Sequence, residues 1–158
     1  MADLDVDNAA SFLIDQPLAE GRASRAAVVT PERTYTYGEL AALSDRAACG
    51  LRRLGVEPEQ RVALLMHDGI GFAATFLGAL KLGAVAVPLN TRLAACELHV
   101  ILEDSRARVV VADRELAASL DHIERATVVE FEALVRDAPA GVVSAEPVGR
   151  DAMAFWLY

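Results

Sequence analysis

The most constraining feature of this sequence is a series of short apolar runs separated by segments with helical spacing. The runs cover residues 62–66, 84–88, 108–112 and 127–131. A strand that is buried on both faces reads as a continuous apolar run, and strands that alternate with helices form parallel sheets. The sequence therefore predicts an α/β fold with a mostly parallel sheet flanked by helices.

The segment before the first run carries the clearest helix signals in the chain. Thr36 and Glu39 fit a capping box, and apolar residues then recur at the 3.6-residue spacing of a helix. Gly55 and Pro58 follow, as is typical just beyond a helix end. We therefore expect one helix between Thr36 and Gly55.

Weaker signals place the remaining elements. Asp68 and Asp113 are candidate N-cap residues of two of the further helices. Helices are predicted over residues 8–20, 69–82, 94–104 and 113–120. Two short strands are predicted over 26–30 and 33–37, a surface loop over 136–151, and a core strand over the aromatic ending, 154–158.

Charge and length exclude several classes of protein. The chain has 158 residues, of which 54% are hydrophobic, and its net charge is −8. That length fits one domain with a sizeable core. Lys81 is the single lysine, and the other fourteen basic residues are scattered arginines. Such a chain lacks the basic patch that binds nucleic acid or an anionic membrane surface, so we expect neither as a partner.

Cysteine placement and the amino terminus suggest a compartment. Cys49 and Cys96 lie in apolar, helix-like patterns and are predicted to be buried, inert thiols in a reducing environment. The acidic start has neither the pattern of a secretory signal nor that of a transit peptide, so we expect a cytoplasmic protein. The apolar segment 69–89 has the length of a membrane span, but glycines, Pro88 and Lys81 interrupt it. We interpret it as a buried helix followed by a buried strand.

One glycine pattern supports a dinucleotide-binding domain as an alternative function. Residues 69–74 match G-x-G-x-x-A, with Gly69 and Gly71 between a predicted strand and a predicted helix. Two features count against this hypothesis. Asp68 stands where a pyrophosphate needs a positive helix end, and no acidic residue follows at the distance that would hold a ribose. The other interpretation is that these glycines let the helix pack closely on the sheet.

Histidines give no metal site by spacing. His67, His99 and His122 are dispersed along the chain. His99 and Glu103 lie four residues apart on a predicted helix, but two candidate ligands do not make a zinc site. No nucleophile elbow or phosphate loop is present either, so we predict no metal site and no self-contained catalytic residues.

Several segments together resemble the amino-terminal portion of the adenylate-forming enzymes. Residues 34–40 (TYTYGEL) are similar to the first core motif of that family, and residues 80–90 (LKLGAVAVPLN) are similar to the second. The intervening and following stretches, 55–64 and 102–105, fit in order and spacing. The opening, residues 8–10, and the ending, 154–158, look most like the benzoate-CoA ligase branch.

The resemblance implies a parent enzyme with a two-step reaction. A carboxylate, here a small aromatic one, attacks the α-phosphate of MgATP, and the thiol of coenzyme A then displaces AMP. In that branch the next residues would form the phosphate loop. Residues 1–158 are therefore expected to be a single, incomplete amino-terminal subdomain whose partner is the remainder of the ligase chain. We expect it to be inactive alone and to bind none of these cofactors tightly.

Within this stretch the resemblance points to one ligand-binding residue. In some CoA ligases of the family the basic residue of the Asn-x-Arg-Leu stretch reaches the phosphates of CoA, and here that residue is Arg92. Arg pairs well with phosphate, although a plain surface arginine is the alternative. Lys81 belongs to the second motif, or is simply a charge at a helix end.

Two further expectations follow from the apolar ending. A sheet that lacks its later strands should be unfinished at one edge, with Phe155 and Trp156 incompletely covered. Exposed apolar edges invite association, so we expect the isolated chain to self-associate. A third functional hypothesis also stays open at this point, a non-catalytic structural or interaction module.

Overall fold

Four parallel strands form the central sheet of the computed structural model, which describes residues 8–120, 123–136 and 138–158. The strands of the chain are β1 (Ala26–Val29), β2 (Thr34–Thr36), β3 (Arg61–Leu65), β4 (Val85–Pro88), β5 (Val109–Ala112) and β6 (Thr127–Glu130). The helices are α1 (Gln16–Ala19), α2 (Tyr37–Arg53), α3 (Ile70–Lys81), α4 (Ala95–Ser105), α5 (Arg114–Ala117) and α6 (Phe131–Arg136). A π-helical turn precedes α1 at Ser11–Asp15, and a 3₁₀ turn follows α5 at Ala118–Leu120.

The order of the strands confirms the predicted α/β fold. The sheet runs β4-β3-β5-β6, and every neighbouring pair is parallel. Central strand β3 is buried over Val62–Leu65, and β5 is buried throughout. Strands β1 and β2 form a separate antiparallel hairpin, as the two short runs around 31–32 predict.

Helices cover both faces of the sheet. Apolar residues of α2, α3 and α6 form one core cluster with alternate residues of β3 and β5, such as Val62 and Val109. Helix α4 and the short α5 form the second cluster with the intervening residues, such as Ala63 and Val110. None of the described helices is long and apolar enough to span a membrane.

Helix α2 begins at the predicted capping box. The Thr36 hydroxyl accepts a hydrogen bond from the Glu39 amide at 3.3 Å, and the Glu39 carboxylate accepts one from the Thr36 amide at 2.8 Å. The helix ends at Arg53, and Gly55 then adopts a positive φ of 79°. Local sequence alone therefore provides partners for two amides at the start of the helix. It also provides the glycine at which the chain reverses direction after the helix.

Helices α2 and α3 pack with their backbones close together. A Cβ added to Gly78 would lie 2.8 Å from the Ser44 carbonyl oxygen and 2.9 Å from the Ala48 nitrogen. Only a glycine fits such an approach, because the atoms it meets belong to the backbone of α2. This contact fixes the layer that covers the first face of the sheet.

The start of α3 differs from the prediction. Its N-cap residue is Gly69, without a side-chain cap, so the expectation that Asp68 caps this helix is wrong. Asp68 lies one residue too early for its carboxylate to reach the amides of the first turn. Asp113 does hold the N-cap position of α5, but its carboxylate does not cap that helix either.

The predicted burial of the two cysteines is also wrong. Cys96 is exposed and Cys49 is half-buried, and both are free thiols. Helix α4 begins at Ala95, which places Cys96 on the side opposite the buried Leu98 and Leu102. The apolar neighbours of Cys96 in the sequence do not share its face of the helix.

Residues 138–158, called the strap below, cross from the end of α6 to the free side of β4. The region 138–148 is irregular, as predicted, and residues 154–156 then run parallel to β4. The Ala86 amide donates to the Ala154 carbonyl at 3.1 Å, and the Trp156 amide donates to the Ala86 carbonyl at 2.9 Å. This contact is a single bridge, and Leu157 and Tyr158 beyond it are exposed. The predicted core strand over 154–158 is therefore wrong, because the segment is not buried. Phe155 is 50% exposed, which agrees with the expected unfinished edge.

Lys81 is a buried residue. The interpretation of Lys81 as simply a charge at a helix end therefore describes only part of its environment. Its side chain lies in the last turn of α3 and is 1% exposed. The ammonium group contacts Asp45 of α2 at 2.7 Å and Asp15 at 3.1 Å. A buried charge requires such partners, because the loss of hydration is otherwise very costly.

Candidate functional site

The carboxyl edge of the parallel sheet collects most of the polar residues that the sequence analysis considered. Helix α3 follows β3 on one face, whereas α4 and α5 follow their strands on the other face. The topological switch point therefore lies between β3 and β5, and in open α/β sheets ligands bind outside the carboxyl ends of strands at such points. We take this edge as the candidate site.

A histidine–aspartate pair bridges the switch point. His67, just after β3, donates its backbone N–H to Oδ2 of Asp113, just after β5, at 2.7 Å. Its ring Nδ1 lies 2.8 Å from the same oxygen, and Glu115 lies 3.5 Å from that ring nitrogen. With Nδ1 bound to the carboxylate, Nε2 is the ring nitrogen left to face outward. The pair ties together the two loops that leave the sheet on opposite faces.

The charge around this pair disfavours a phosphate group there. Asp68, Asp113 and Glu115 all lie at the ends of β3 and β5, and they form an acidic region. Nearby, Arg114 is paired with Glu130 at 3.0 Å, and this hydrogen bond raises the pKa of Arg114. An anionic ligand would meet carboxylates rather than a free cation at the switch point.

An open cleft of about 410 Å³ lies beside the pair, at the carboxyl ends of β3 and β4. Apolar and polar side chains share its lining: Met66, His67, Asp68, Phe72, Pro88, Leu89, Asn90, Thr91, Leu157 and Tyr158. The last two belong to the strap, so the strap forms one wall of the cleft.

The strap wall is fastened to α4 by Tyr158. Its hydroxyl donates a hydrogen bond to Asp104 at 2.6 Å. Partial loss of hydration and the hydrogen bond to the Asp104 carboxylate raise the pKa of Tyr158 to about 12. The tyrosine therefore stays a neutral donor at every physiological pH.

Arg92 lies at the same edge, in the turn after β4. Its backbone N–H donates to the side chain of Asn90 at 2.9 Å, which shapes the turn, and its side chain is exposed. Among the described residues, no carboxylate forms an ion pair with the Arg92 guanidinium. An exposed arginine without such a partner suits a phosphate better than the acidic switch point does, and the CoA role of Arg92 stays a prediction.

The residues considered as metal ligands do not come together in the described part of the chain. No group of three or more His, Cys, Asp or Glu side chains there is placed to hold a metal ion. His99 and Glu103 share a face of α4 but are joined by no third ligand. His122, the remaining candidate from the sequence, lies outside the described residues.

The glycine pattern has a packing explanation. A Cβ at Gly71 would lie 3.1 Å from the Met66 side chain, just after β3, and 3.2 Å from the Phe131 ring at the start of α6, so this glycine lets α3 pack closely against both side chains. Gly69 meets nothing within 4 Å. Gly69 therefore has no packing role. Gly71 has one, and close packing of the helix is the interpretation considered as the alternative to dinucleotide binding.

Sequence reasoning missed the pairing of His67 with Asp113. The histidine was grouped with two others by type, and the aspartate was considered only as a helix cap. The signal that could have joined them is positional, since each directly follows a buried parallel strand and the two strands are neighbours.

Comparison with known proteins places the whole chain in one group of enzymes. The family model described as AMP-binding enzyme matches residues 16–158. The 4-hydroxybenzoate–CoA/benzoate–CoA ligase of Rhodopseudomonas palustris is 39% identical, in an alignment that covers 96% of this chain and 31% of that protein. The chain thus spans about a third of the length of the curated relatives it matches.

Two solved structures resemble the fold to a similar degree. A benzoate CoA ligase from Burkholderia xenovorans LB400 has a TM-score of 0.88 and is 34% identical, over 96% of this chain and 32% of that one. A fatty acyl CoA synthetase of Mycobacterium tuberculosis has a TM-score of 0.84 and the same identity and coverage. An aromatic-acid enzyme and a fatty-acid enzyme are therefore equally similar to this chain in sequence.

Proposed function

Because this chain belongs to the AMP-binding enzyme family, we propose that it is the amino-terminal subdomain of an ATP-dependent aryl-CoA ligase. The observation that carries the proposal is the 39% identity to a benzoate and 4-hydroxybenzoate ligase across 96% of the chain. The preference for an aromatic acid rests on this relative. The equal similarity to a fatty acyl CoA synthetase makes that preference the part of the proposal most in need of a test.

The proposed reaction follows the chemistry of carboxylate activation. A carboxylate is a poor acyl donor until its oxygen becomes a good leaving group. MgATP supplies that group, because attack on its α-phosphate gives an acyl-adenylate and pyrophosphate, and the thiol of CoA then displaces AMP. In this proposal residues 1–158 provide the sheet edge and the cleft, and the remainder of the ligase supplies the catalytic residues.

The residue of this chain that would contact a substrate is Arg92. Its side chain is exposed, and it directly follows Asn90 and Thr91, which line the cleft. An exposed arginine pairs with a phosphate oxygen of CoA through charge-assisted hydrogen bonds. The role of Arg92 is therefore to bind CoA rather than to take part in the chemistry.

The deciding assay uses the full-length natural protein that contains this segment. We expect AMP release that requires ATP, CoA and a carboxylate, and that is faster with benzoate than with hexanoate, an aliphatic acid of similar size. If a folded protein releases no AMP with either acid, the ligase proposal is wrong. If hexanoate is the better substrate, the aryl preference is wrong and the ligase proposal stands. If the natural chain ends at Tyr158, the proposal of a catalytic parent fails.

Arg92→Ala in that protein tests the CoA contact. We expect the KM for CoA to rise about tenfold with little change in kcat, because a charge-assisted hydrogen bond to phosphate contributes on the order of 1.5 kcal/mol. Arg125→Ala is the matched control, since Arg125 is also an exposed arginine but lies on the segment before β6. An unchanged KM for CoA in the Arg92 variant would show that this side chain is a plain surface arginine.

The isolated chain is proposed to be inactive and to self-associate. Phe155, Leu157 and Tyr158 are each at least half exposed at the edge of the sheet. Such an edge, with exposed apolar side chains, favours association with another chain. Light scattering at micromolar concentration should show dimers or larger species, and a monodisperse monomer would contradict this expectation.

A further inference from the structure

Among the described contacts of the strap, hydrogen bonds to backbone groups attach it at two places, and the Tyr158 hydroxyl adds a bond to Asp104 at its end. The first attachment, at residues 143–146, joins the carboxyl end of α3. The second, at residues 154–156, joins β4 and leads to the cleft wall formed by Leu157 and Tyr158. Residues 149–153, between the two, are all exposed.

The first attachment is a buried polar cluster centred on Lys81. The ammonium group has three N–H donors, and three oxygens lie around it. It contacts Asp45 at 2.7 Å, Asp15 at 3.1 Å and the backbone carbonyl of Val143 at 3.2 Å. Each donor therefore has a partner from a different part of the chain, and one of these partners is the strap.

Backbone groups at the end of α3 complete this attachment. The Glu146 amide donates to the Lys81 carbonyl at 2.7 Å. The side-chain amide of Asn8 donates to the Leu80 carbonyl at 2.8 Å and to the Glu146 carbonyl at 2.9 Å. The strap thus provides a partner for the Lys81 carbonyl at the end of the helix, and the Leu80 carbonyl accepts from Asn8 as well as from the Gly83 amide.

Few apolar contacts hold the strap independently of this cluster. Its buried apolar residues are Ala138 and Val143, of which Val143 joins the first core cluster, and the half-buried Trp156 packs against the second. Phe155 is half exposed and meets Phe76 with a ring separation of 5.8 Å. The Lys81 cluster, rather than a core of its own, therefore determines where the strap begins its path to β4.

We propose that Lys81 is a positioning residue, which holds the strap at the end of α3 and thereby keeps its last residues on β4 as a wall of the cleft. This inference concerns the fold of the chain and does not rest on the proposed ligase activity. With the first attachment closed, seven residues (147–153) link it to the segment on β4. With it open, the loop that must close spans the sixteen described residues 138–153, and closing a longer loop is entropically less favourable.

The test compares wild type with the double variant Lys81→Met/Asp45→Ala. Lys81→Met alone leaves a buried carboxylate without its partner and can unfold the protein. Removing the two buried charges avoids most of that penalty while still removing the donor to Val143, because the remaining carboxylate, Asp15, is 39% exposed and stays hydrated. Arg52→Met is the control. Arg52 is exposed in the last turn of α2 and lies outside the Lys81 cluster, so this substitution removes a positive charge and leaves the cluster intact.

The main measurement is hydrogen exchange of the Trp156 amide, which bonds to Ala86 in the second attachment. We expect exchange to be about fourfold faster in the double variant, from the longer loop alone. The Leu89 amide, bonded to Leu64 within the sheet, should exchange as in the wild type. A purely structural role of Lys81 would accelerate both amides together.

Limited proteolysis gives a second readout. Trypsin cleavage after Arg150, which lies between the two attachments, should be about tenfold faster in the double variant, because loss of a hydrogen bond from a charged donor favours local opening by about that factor. Cleavage after Arg125, outside the strap, should be unchanged. If the folded double variant keeps wild-type exchange at Trp156 and wild-type cleavage after Arg150, the proposal is overturned.

Discussion

The two helices over the first face of the sheet and the strap at its edge are stabilised in different ways. Helices α2 and α3 meet through small and apolar residues, with Gly78 against the backbone of α2. The strap is held by hydrogen bonds, including one from the Lys81 ammonium to the Val143 carbonyl, and by one β-bridge. The first kind of contact resists any change of volume, whereas the second depends on individual donors and acceptors. Lys81 belongs to both regions, since it lies on α3 and contacts the strap.

The largest expected effect is that of Lys81→Met, because this substitution removes the side chain that connects α3 to the strap. It leaves the Asp45 side chain, 8% exposed, without its cation. Breaking a buried ion pair from one side costs about 3–5 kcal/mol of unfolding free energy. Urea unfolding should show this loss, and Lys81→Met/Asp45→Ala should recover most of it. A loss below about 1 kcal/mol would mean that this pair behaves like a surface ion pair.

Gly78→Ala directly tests the contact between α2 and α3, called the packed region below. Its new methyl group would meet backbone atoms of α2 at 2.8 and 2.9 Å. We expect a loss of about 2–3 kcal/mol, because overpacking outweighs the better helix propensity of alanine. The control is Gly141→Ala in the strap, where a Cβ meets nothing within 4 Å. Equal stability of the two variants would contradict the contrast between the regions.

Thr36→Ala removes half of the capping box of α2. The amide of Glu39 then loses its partner, and such a change costs about 1 kcal/mol. Ser144→Ala, an exposed hydroxyl of the strap, should stay within about 0.5 kcal/mol of wild type in the same urea experiment. If both variants were neutral, the cap would contribute nothing to the packed region.

Asp104→Asn has the smallest effect and concerns only the end of the strap. Loss of the carboxylate should lower the pKa of Tyr158 from about 12 toward its ordinary value, while partial loss of hydration keeps it somewhat raised. In the wild type the raised pKa means that this bond stabilises the fold fully below about pH 10, with the contribution lost as the pH rises toward about 12. Ultraviolet titration of the phenolate measures the shift.

For this last variant, Glu103→Gln is the matched control. Glu103 is the exposed neighbour of Asp104 on α4, and it makes no hydrogen bond to Tyr158 in the described structure. Its titration curve should match that of the wild type. A shift of equal size in both variants would point to general electrostatics rather than to the bond at Asp104.

The packed region could be predicted from the sequence because its signals are local. The box at Thr36, the glycine after α2 and the apolar runs each act within a few residues, and all recur in the structure. The sheet order β4-β3-β5-β6 was not predicted, since it depends on which runs meet in space. Asp68 shows the limit of local signals, because a shift of one residue in the helix start removes its role as a cap.

The strap and the candidate site were predicted less well, for one physical reason. The contacts that form them join residues far apart in the chain, such as His67 with Asp113 or Lys81 with Val143. Residue types and spacing describe neighbours in sequence and do not reveal such pairs. Charge patterns show that Lys81 is the single lysine, but only the fold shows that it is buried.

The hydrogen bond between Asn8 and Glu146 has a consequence for synthesis of the protein. The two residues are 138 positions apart, and Asn8 leaves the ribosome first. At about 5–20 residues per second, the amino-terminal segment waits on the order of ten seconds for its acceptor to be made. During that interval the end of α3 lacks one of its carbonyl partners and Asn8 has no strap to hold. Since Asn8 also donates to the Leu80 carbonyl, the amino-terminal segment can dock on α3 first, and the strap closes over both of them last.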